Sequence, residues 1–424
     1  MNHSLPPPLR TLYLCYFGLR EPLVQTQVLP YLRQLAGAGV DVSLLTFEPH
    51  LRQNWTTQEL DRERAHLADE GIRWFRRAYH KKPSALATAY DILSGAWSAV
   101  RLVRRHRIGV LHARSHVPMA MAMLAQRLAA CRLVFDIRGL MAEEYADAGV
   151  WKDDSLRFRA VKKLERAGIR RADQIVVLTR RMRDWLVEGG LAAAEKIEVI
   201  PCCVDFTRYG DEGEPATDAS VAPTSRFEVV YAGSVTGLYL LDEMGHFFIE
   251  LLKRRPDAFL RILTTSSSED VAAVLRKIGL SSDKFWIGGV LPSEVPAYLR
   301  RARLGLSFRR ATFSQIAASP TKIPEYLAAG LPLVSNTGIG DVDELLEKEK
   351  VGVIVRAFSP EEYGRAVEQA LALTEDAEVR LRCAAVARRR FSLNCIGRTG
   401  YGNVYQRIHV QMRSEEVTGL RTQR

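Results

Sequence analysis

Long hydrophobic runs are missing from this chain: no stretch reaches the roughly 20 apolar residues that a membrane-crossing helix needs. The opening MNHSLPPPLRTLYLCYFGL also lacks the charged, apolar and small-residue order of a signal peptide, and its apolar part has the length of a strand. The six cysteines, at 15, 131, 202, 203, 383 and 395, include an adjacent pair but no CxxC spacing. That removes a zinc site or a disulfide framework. A reduced, cytoplasmic setting is the expectation. No GxGxxG, Walker A, HExxH or GxSxG order occurs, so the marks of a nicotinamide oxidoreductase, a P-loop enzyme, a zincin and a serine esterase are absent. No internal repeat is evident.

Acidic residues are scarce in one half only. Residues 1–200 hold 31 Lys+Arg against 21 Asp+Glu, and the remainder holds 29 against 28. A basic first half points to an anionic partner: nucleic acid, a membrane surface, or a phosphorylated or acidic acceptor. The basic runs carry few aromatics and no known module, which disfavours nucleic acid. At 424 residues, 47% apolar and 26% charged, the composition is that of a soluble globular enzyme with two domains.

The chain opens as strand, loop, helix and strand: Leu9–Phe17, a helix over Val24–Ala38, then Asp41–Phe47. Strand patterns at Ile72–Phe75, Gly109–His112, Leu133–Asp136, Ile175–Leu178 and Ile197–Ile200, mostly separated by helical patterns, predict one parallel-sheet domain over 1–210. Residues 211–226, DEGEPATDASVAPTSR, read as a linker. A second series, Phe227–Ala232, Ala258–Leu263, Lys284–Ile287, Leu304–Phe308, Leu331–Val334 and Val351–Val355, predicts a like domain over 227–394. Pro360–Arg390 is helical, and a last helix over 395–412 leads into the tail that ends the 395–424 segment. The expected architecture is α/β: two Rossmann-like, doubly wound parallel-sheet domains facing a cleft, with ligands at the carboxyl ends of strands.

The densest stretch is Ser319–Leu345, SPTKIPEYLAAGLPLVSNTGIGDVDEL. Thr321 is placed to cap a helix whose first turn holds Lys322, and Pro324 is tolerated there. A lysine at a helix start runs against the dipole, so Lys322 fits a bound anion such as phosphate; an exposed lysine on an ordinary helix fits as well. In GSVTGLYLLDE, 233–243, the residues Gly233, Ser234 and Gly237 either bring backbone N–H groups close to a diphosphate or form a plain turn. SFRR, 307–310, carries Arg309 and Arg310 to a strand end, where an arginine can grip phosphate at two points. HARSH, 112–116, and FDIRG, 135–139, bring His112, Arg114, His116, Asp136 and Arg138 to one edge, either to orient hydroxyls or phosphates or to satisfy one another. DVD, 341–343, is better explained by carboxylates favouring a helix start than by a metal. ALATAYDILSGAWSAVRLV, 85–103, places Leu86, Tyr90, Leu93, Trp97 and Val100 on one helical face, with RRHR after it and Arg76, Arg77, Lys81 and Lys82 before it. That helix either lies on an anionic membrane surface or packs on the sheet.

Taken together, YFGLREPLVQTQVLPYL, HARSH with FDIRG, KLERAGIRRADQIVVLT, VIPCCVD, YAGSVTGLYLLDE and SPTKIPEYLAAGLPLVSNTGIGDV make the chain similar, over nearly its whole length, to the retaining GT-B glycosyltransferases of family 4. The resemblance implies a UDP- or GDP-sugar donor on the C-terminal domain and a C-terminal helix crossing back to the first domain. It implies transfer of a hexose-type sugar, with retention, to a hydroxyl of a glycan, glycolipid or other acceptor, in polysaccharide biosynthesis. Glu325 takes the place of the glutamate that contacts the nucleotide ribose. Charge development is assigned to Lys322, Arg309 and Arg138, and donor contacts to Gly233, Ser234, Gly237, Val290, Arg310, Ser319, Thr321 and Glu325. Acceptor contacts fall to Gly18, Gln25, Gln27, His112, Arg114, His116, Asp136 and Glu144.

The resemblance implies no cofactor and no essential metal. The partners it implies are the nucleotide-sugar and a glycan or lipid-linked acceptor; the basic helix over 85–107 adds an anionic membrane surface, on the cytoplasmic face of the inner membrane, and the aromatic-poor basic runs add no nucleic acid. The sequence departs from the family pattern at Ala317, where a second glutamate is usual, at Ser234, where an arginine is usual, and at Arg138, where a histidine is common. The lysine that commonly follows the first strand of the second domain is missing too. A scaffold that keeps the fold and binds a sugar nucleotide without turnover is the alternative.

Overall fold

The computed structural model describes residues 9–82, 84–210 and 226–417. The expected linker, apart from Arg226, and the tail beyond residue 417 lie outside the described residues. Two compact units are present. One comprises the chain up to Ala146, Trp151–Pro201 and the segment from Ile396 onward; the other comprises Asp147–Val150 and Cys202–Cys395.

The first unit is built on a parallel sheet of β1 (Arg10–Cys15), β2 (Asp41–Pro49), β3 (Ile72–Tyr79), β4 (Val110–Arg114), β5 (Arg132–Asp136), β6 (Gln174–Val177) and β7 (Ile197–Val199). The strand order is β3-β2-β1-β4-β5-β6-β7. Parallel strands covered on both faces read as continuous apolar runs, and β2 is buried from Val42 through Phe47 and on to Glu48. The order reverses between β1 and β4, where register sets Cys15 level with Arg114, and Arg114 level with Asp136 on β5. The helix Arg398–Val417 completes this unit.

The second sheet holds β8 (Phe227–Ala232), β9 (Ala258–Leu263), β10 (Phe285–Gly288), β11 (Leu304–Ser307), β12 (Leu333–Asn336) and β13 (Gly352–Val355), all parallel, in the order β10-β9-β8-β11-β12-β13. Its reversal lies between β8 and β11. Apolar clusters cover both faces: Tyr326, Leu327 and Leu346 belong to one, Phe247, Phe248 and Phe308 to the other.

Two helices depart from expectation. Val24–Ala38 is not continuous but splits into Pro22–Gln27 and Leu29–Gly37, with Val28 at φ −125° and ψ −65°. Pro30 has no N–H to donate, and its ring would meet the carbonyl one turn back. Pro360–Arg390 is helical as expected, in two helices, Pro360–Glu375 and Val379–Phe391. The last helix starts at Arg398, after a wide turn over Leu393–Gly397, and runs on to Val417. Among the described residues no helix is long and apolar enough to cross a membrane.

Candidate functional site

In the second unit the strand-order reversal gathers cations. After β8 the chain turns through Gly233 at φ 125° and Gly237 at φ 74°, conformations that side-chain-bearing residues rarely adopt. A Cβ on Gly233 would lie 3.4 Å from both Cε and Nζ of Lys322. Lys322 is 4% exposed. Its Nζ donates to the Tyr231 hydroxyl at 3.0 Å and lies 4.1 and 4.0 Å from the ring centroids of Tyr231 and Tyr239. Among the described residues no carboxylate comes within ion-pair distance of it. Burial pushes the Lys322 pKa well below the ordinary lysine value, the Arg309 charge pushes the same way, and Glu325 opposes.

Arg309 follows β11. Its guanidinium stands 4.9 Å from the Tyr239 centroid, its Nε is buried without a hydrogen-bond partner, and its backbone N–H donates to Asn336 Oδ1 at 2.7 Å. Desolvating a cation is costly, and aromatic faces recover only part of that cost. Two cations thus face two phenol rings, and among the described residues Glu325 acts on Lys322 through its charge but not as an ion-pair partner.

The other donor candidates are placed as follows. Glu325 pairs with Arg208 at 3.2 Å, and Arg208 also donates to the Pro292 carbonyl at 2.8 Å. Burial raises the Glu325 pKa and Arg208 opposes it. Ser319 Oγ accepts from the Cys202 N–H at 3.1 Å. Thr321 does not cap the helix Lys322–Ala328: its backbone is already helical at φ −57° and ψ −28°, which leaves its hydroxyl out of reach of the first-turn N–H groups. Ser234 Oγ bonds Thr236 within its own turn, and Val290 is half-buried against the apolar cluster beneath Ile323. Arg310 is exposed and donates to the Asp147 carbonyl at 3.2 Å. Ala317 is buried. In DVD, Asp343 accepts from the Thr337 hydroxyl and the Gly338 N–H, tying a turn together. Among the described residues no group of three His, Cys, Asp or Glu could hold a metal ion.

The first unit treats its charges differently. Asp136 is fully buried and accepts from Tyr401 at 3.0 Å and Tyr13 at 3.3 Å, with Arg138 at 3.4 Å, His112 at 3.7 Å and Arg114 at 3.8 Å. Burial acts to raise its pKa, but Arg138, the neighbouring His112 ring and Arg114 together hold it far below the usual carboxylate range. His112 Nδ1 meets the Tyr405 hydroxyl at 3.0 Å, and His116 Nε2 meets Glu165 at 3.0 Å. His112, Arg114, His116 and Asp136, expected at the ligand edge, are therefore enclosed by protein groups. For His112 and Asp136 the cause is the helix Arg398–Val417, whose Tyr405 and Tyr401 cover them; His116 is held by Glu165 and the Phe135 ring.

Arg138 keeps 10% of its side chain exposed. In the loop after β1, the Leu19 N–H donates to both Glu48 carboxylate oxygens, at 2.9 and 3.1 Å, and Gln25 Nε2 donates to the Leu19 carbonyl at 2.7 Å. Gly18 is needed there, since a Cβ would sit 2.9 Å from Glu48 Oε2. Gln27 is buried, and the Glu144 carboxylate lies against Gly139, where a Cβ would make it shift.

Two family models match the chain: Glycosyltransferase Family 4 over residues 24–208 and Glycosyl transferases group 1 over residues 227–373. The chain belongs to the GT-B glycosyltransferases of family 4. Among solved structures, sucrose-phosphate synthase from Thermosynechococcus elongatus is 13% identical with a TM-score of 0.70, covering 95% of this chain and 100% of its own. A glycosyltransferase from Rickettsia africae is 15% identical with a TM-score of 0.67, covering 95% and 99%. Anabaena HepE, solved with UDP and glucose, is 14% identical with a TM-score of 0.64, covering 96% and 100%. At these identities the likeness establishes the fold. No curated protein matches significantly.

For this glycosyltransferase the residue reading missed four groups: Arg208 on Glu325, Tyr231 and Tyr239 around Lys322, and Glu48 under the first loop. The tyrosines were within reach of it, because YAGSVTGLY places both at the edges of a glycine turn. Nothing local to Arg208 or Glu48 marks either one.

Proposed function

We propose that this glycosyltransferase moves a sugar from a nucleotide-sugar donor to an acceptor hydroxyl with retention of anomeric configuration. One observation carries the proposal: Lys322 is buried beside Gly233 and Arg309 with no carboxylate within ion-pair distance among the described residues. A donor diphosphate would supply the charge-assisted contacts that Tyr231 and Tyr239 supply only in part. HepE is solved with UDP and with UDP-glucose, and a UDP-sugar is the donor we infer, with a GDP-sugar as the competitor. Glu325 binds the ribose, whose hydroxyls compete with Arg208 for it, so losing Glu325 weakens donor binding more than chemistry.

The acceptor oxygen attacks the anomeric carbon on the face from which the diphosphate departs. The bond from that carbon to the phosphate oxygen breaks, and the hydroxyl proton passes to the departing phosphate. Lys322 and Arg309 stabilise the charge that develops there, without a protein nucleophile, cofactor or metal ion. The acceptor belongs to the first unit, near Gly18–Gln27 and Arg138, and the basic surplus of that half suits a lipid-linked phosphate acceptor over a neutral glycan.

The Arg208–Glu325 ion pair and Ala317 favour one second reading, a homologue that binds the nucleotide without turnover. A panel of UDP-, GDP-, ADP- and dTDP-sugars separates the two. The measurements are calorimetric binding and slow hydrolysis, with the anomer of the released sugar followed by NMR. Binding with retaining hydrolysis supports the enzyme, and binding with neither hydrolysis nor transfer supports the scaffold. Failure to bind any of them overturns both.

A further inference from the structure

The helix Ser84–His106 buries a face of mostly small residues, with Val100 and Val103, and exposes four large apolar ones. Ala87, Gly95, Ala96 and Ala99 are buried, and Gly95 packs so closely that a Cβ there would lie 2.5 Å from Met121 Sδ. Leu86, Tyr90, Leu93 and Trp97 are 72%, 55%, 65% and 58% exposed. Their spacings of four, three and four residues put them in one stripe, and the next steps of four and three reach Arg101 and Arg104. Scattered surface leucines need no explanation, but four large apolar side chains along one stripe mark an interaction face.

An open trough of about 1370 Å³ adjoins that stripe, between the helix and the edge strand β3. Arg73, Arg76 and Arg77 of β3 and Arg101, Arg104 and Arg105 of the helix line it, and Trp97 belongs to both trough and stripe. Of these six arginines only Arg73 is in an ion pair, at 3.8 Å from Asp41, among the described residues. Lys81 and Lys82, exposed just before the helix, add to the same charge. Basic residues blunt the open edge of a sheet, which accounts for β3 but not for the apolar stripe beside it.

We propose that this face docks on an anionic membrane surface. The Leu86–Trp97 stripe enters the boundary between headgroups and acyl chains, and the arginines meet lipid phosphates. An extended nucleic acid would match the cations but give Leu86 and Leu93 nothing to stack on. The proposal does not depend on the transfer reaction and holds for enzyme and scaffold alike.

Co-sedimentation of the full chain with vesicles tests it, using phosphatidylcholine alone and phosphatidylcholine mixed with phosphatidylglycerol. The chain should pellet only with the mixed vesicles, less so as salt rises. Each of Arg101→Glu, Arg104→Glu and Arg105→Glu should weaken binding by about fivefold or more, and Leu93→Ser with Trp97→Ser should weaken it comparably. Brominated lipid should quench tryptophan fluorescence in the native chain but not in Trp97→Phe, a readout that leaves the fold intact. Absence of pelleting with mixed vesicles overturns the proposal, as does pelleting indifferent to both sets of substitutions. Equal binding to a single-stranded oligonucleotide that survives Leu93→Ser with Trp97→Ser assigns the face to nucleic acid instead.

Discussion

Each sheet reverses its strand order once, and both reversals collect basic side chains, but the two units treat that charge in opposite ways. At the β1/β4 reversal Arg114, Arg138 and His112 converge on Asp136, whose carboxylate also accepts from Tyr13 and Tyr401. At the β8/β11 reversal Lys322 and Arg309 meet ring faces, a tyrosine hydroxyl and each other's repulsion, and among the described residues no carboxylate lies within ion-pair distance of Lys322, Glu325 acting on it only through its charge. A buried cation with a carboxylate beside it is satisfied within the fold; a buried cation without one keeps a charge that a bound anion would meet. Charge collected at strand ends therefore does not by itself make a binding site, and the presence or absence of counter-charge distinguishes the two cases.

The comparison is tested most strongly by removing the counter-charge where it exists. Asp136→Asn leaves Arg114 and Arg138 buried without their anion, and should cost about 3–5 kcal/mol of stability in urea unfolding. The folded-state pKa of Asp136 is depressed, so its contribution is complete above the ordinary value of about 3.9 and is lost as pH falls. The gap between native and variant chains should therefore narrow toward acid. Nucleotide binding by the folded variant should be unchanged.

Lys322→Met should behave in the opposite sense. Replacing an unpaired buried ion by an apolar side chain of similar length should leave the free chain as stable or about 1 kcal/mol more so. The same change removes a contact to the diphosphate and should lower turnover by about 10²–10³-fold. Thermal unfolding without nucleotide, set beside donor hydrolysis, measures both. A Lys322→Met chain as destabilised as Asp136→Asn would make both clusters structural and erase the distinction.

What could be read from the residues follows the same physics. Strands covered on both faces are written as apolar runs, so every expected strand of both series is present in its sheet. Lys322 stood out because a lysine is misplaced at a helix start. Its cage did not stand out, since Tyr231 and Tyr239 reach it only after β8 and the glycine turn bring them round. Tyr401 lies 265 residues from Asp136, and Arg208 lies 117 from Glu325. No local spacing announces such pairs, and the first of them changed the status of His112 and Asp136. The helix Ser84–His106 shows the reverse limit: its apolar stripe is plain in the sequence, but only the Gly95–Met121 packing shows that Leu86, Tyr90, Leu93 and Trp97 face outward, while Val100, read onto the same face, is buried.

The smallest expected effect examines the cage itself. Burial first, and the Arg309 charge second, make Lys322 give up its proton at lower pH than an ordinary lysine. A diphosphate reverses both influences, so donor binding should draw a fraction of a proton from solution. Calorimetry in buffers of different ionisation enthalpy reads that fraction, which should vanish in Lys322→Met. The free chain carries the matching signature. Between the depressed pKa and the ordinary lysine value of about 10.4, the unfolded chain holds a proton that the folded chain does not, so stability should rise with pH across that window. Saturating nucleotide should flatten the rise, because bound Lys322 keeps its proton. Below the depressed pKa Lys322 is already charged, and uptake should disappear. If neither uptake nor slope appears at any pH, the two tyrosine rings alone hold the ammonium charged, and the contrast with Asp136 is one of geometry rather than of missing counter-charge.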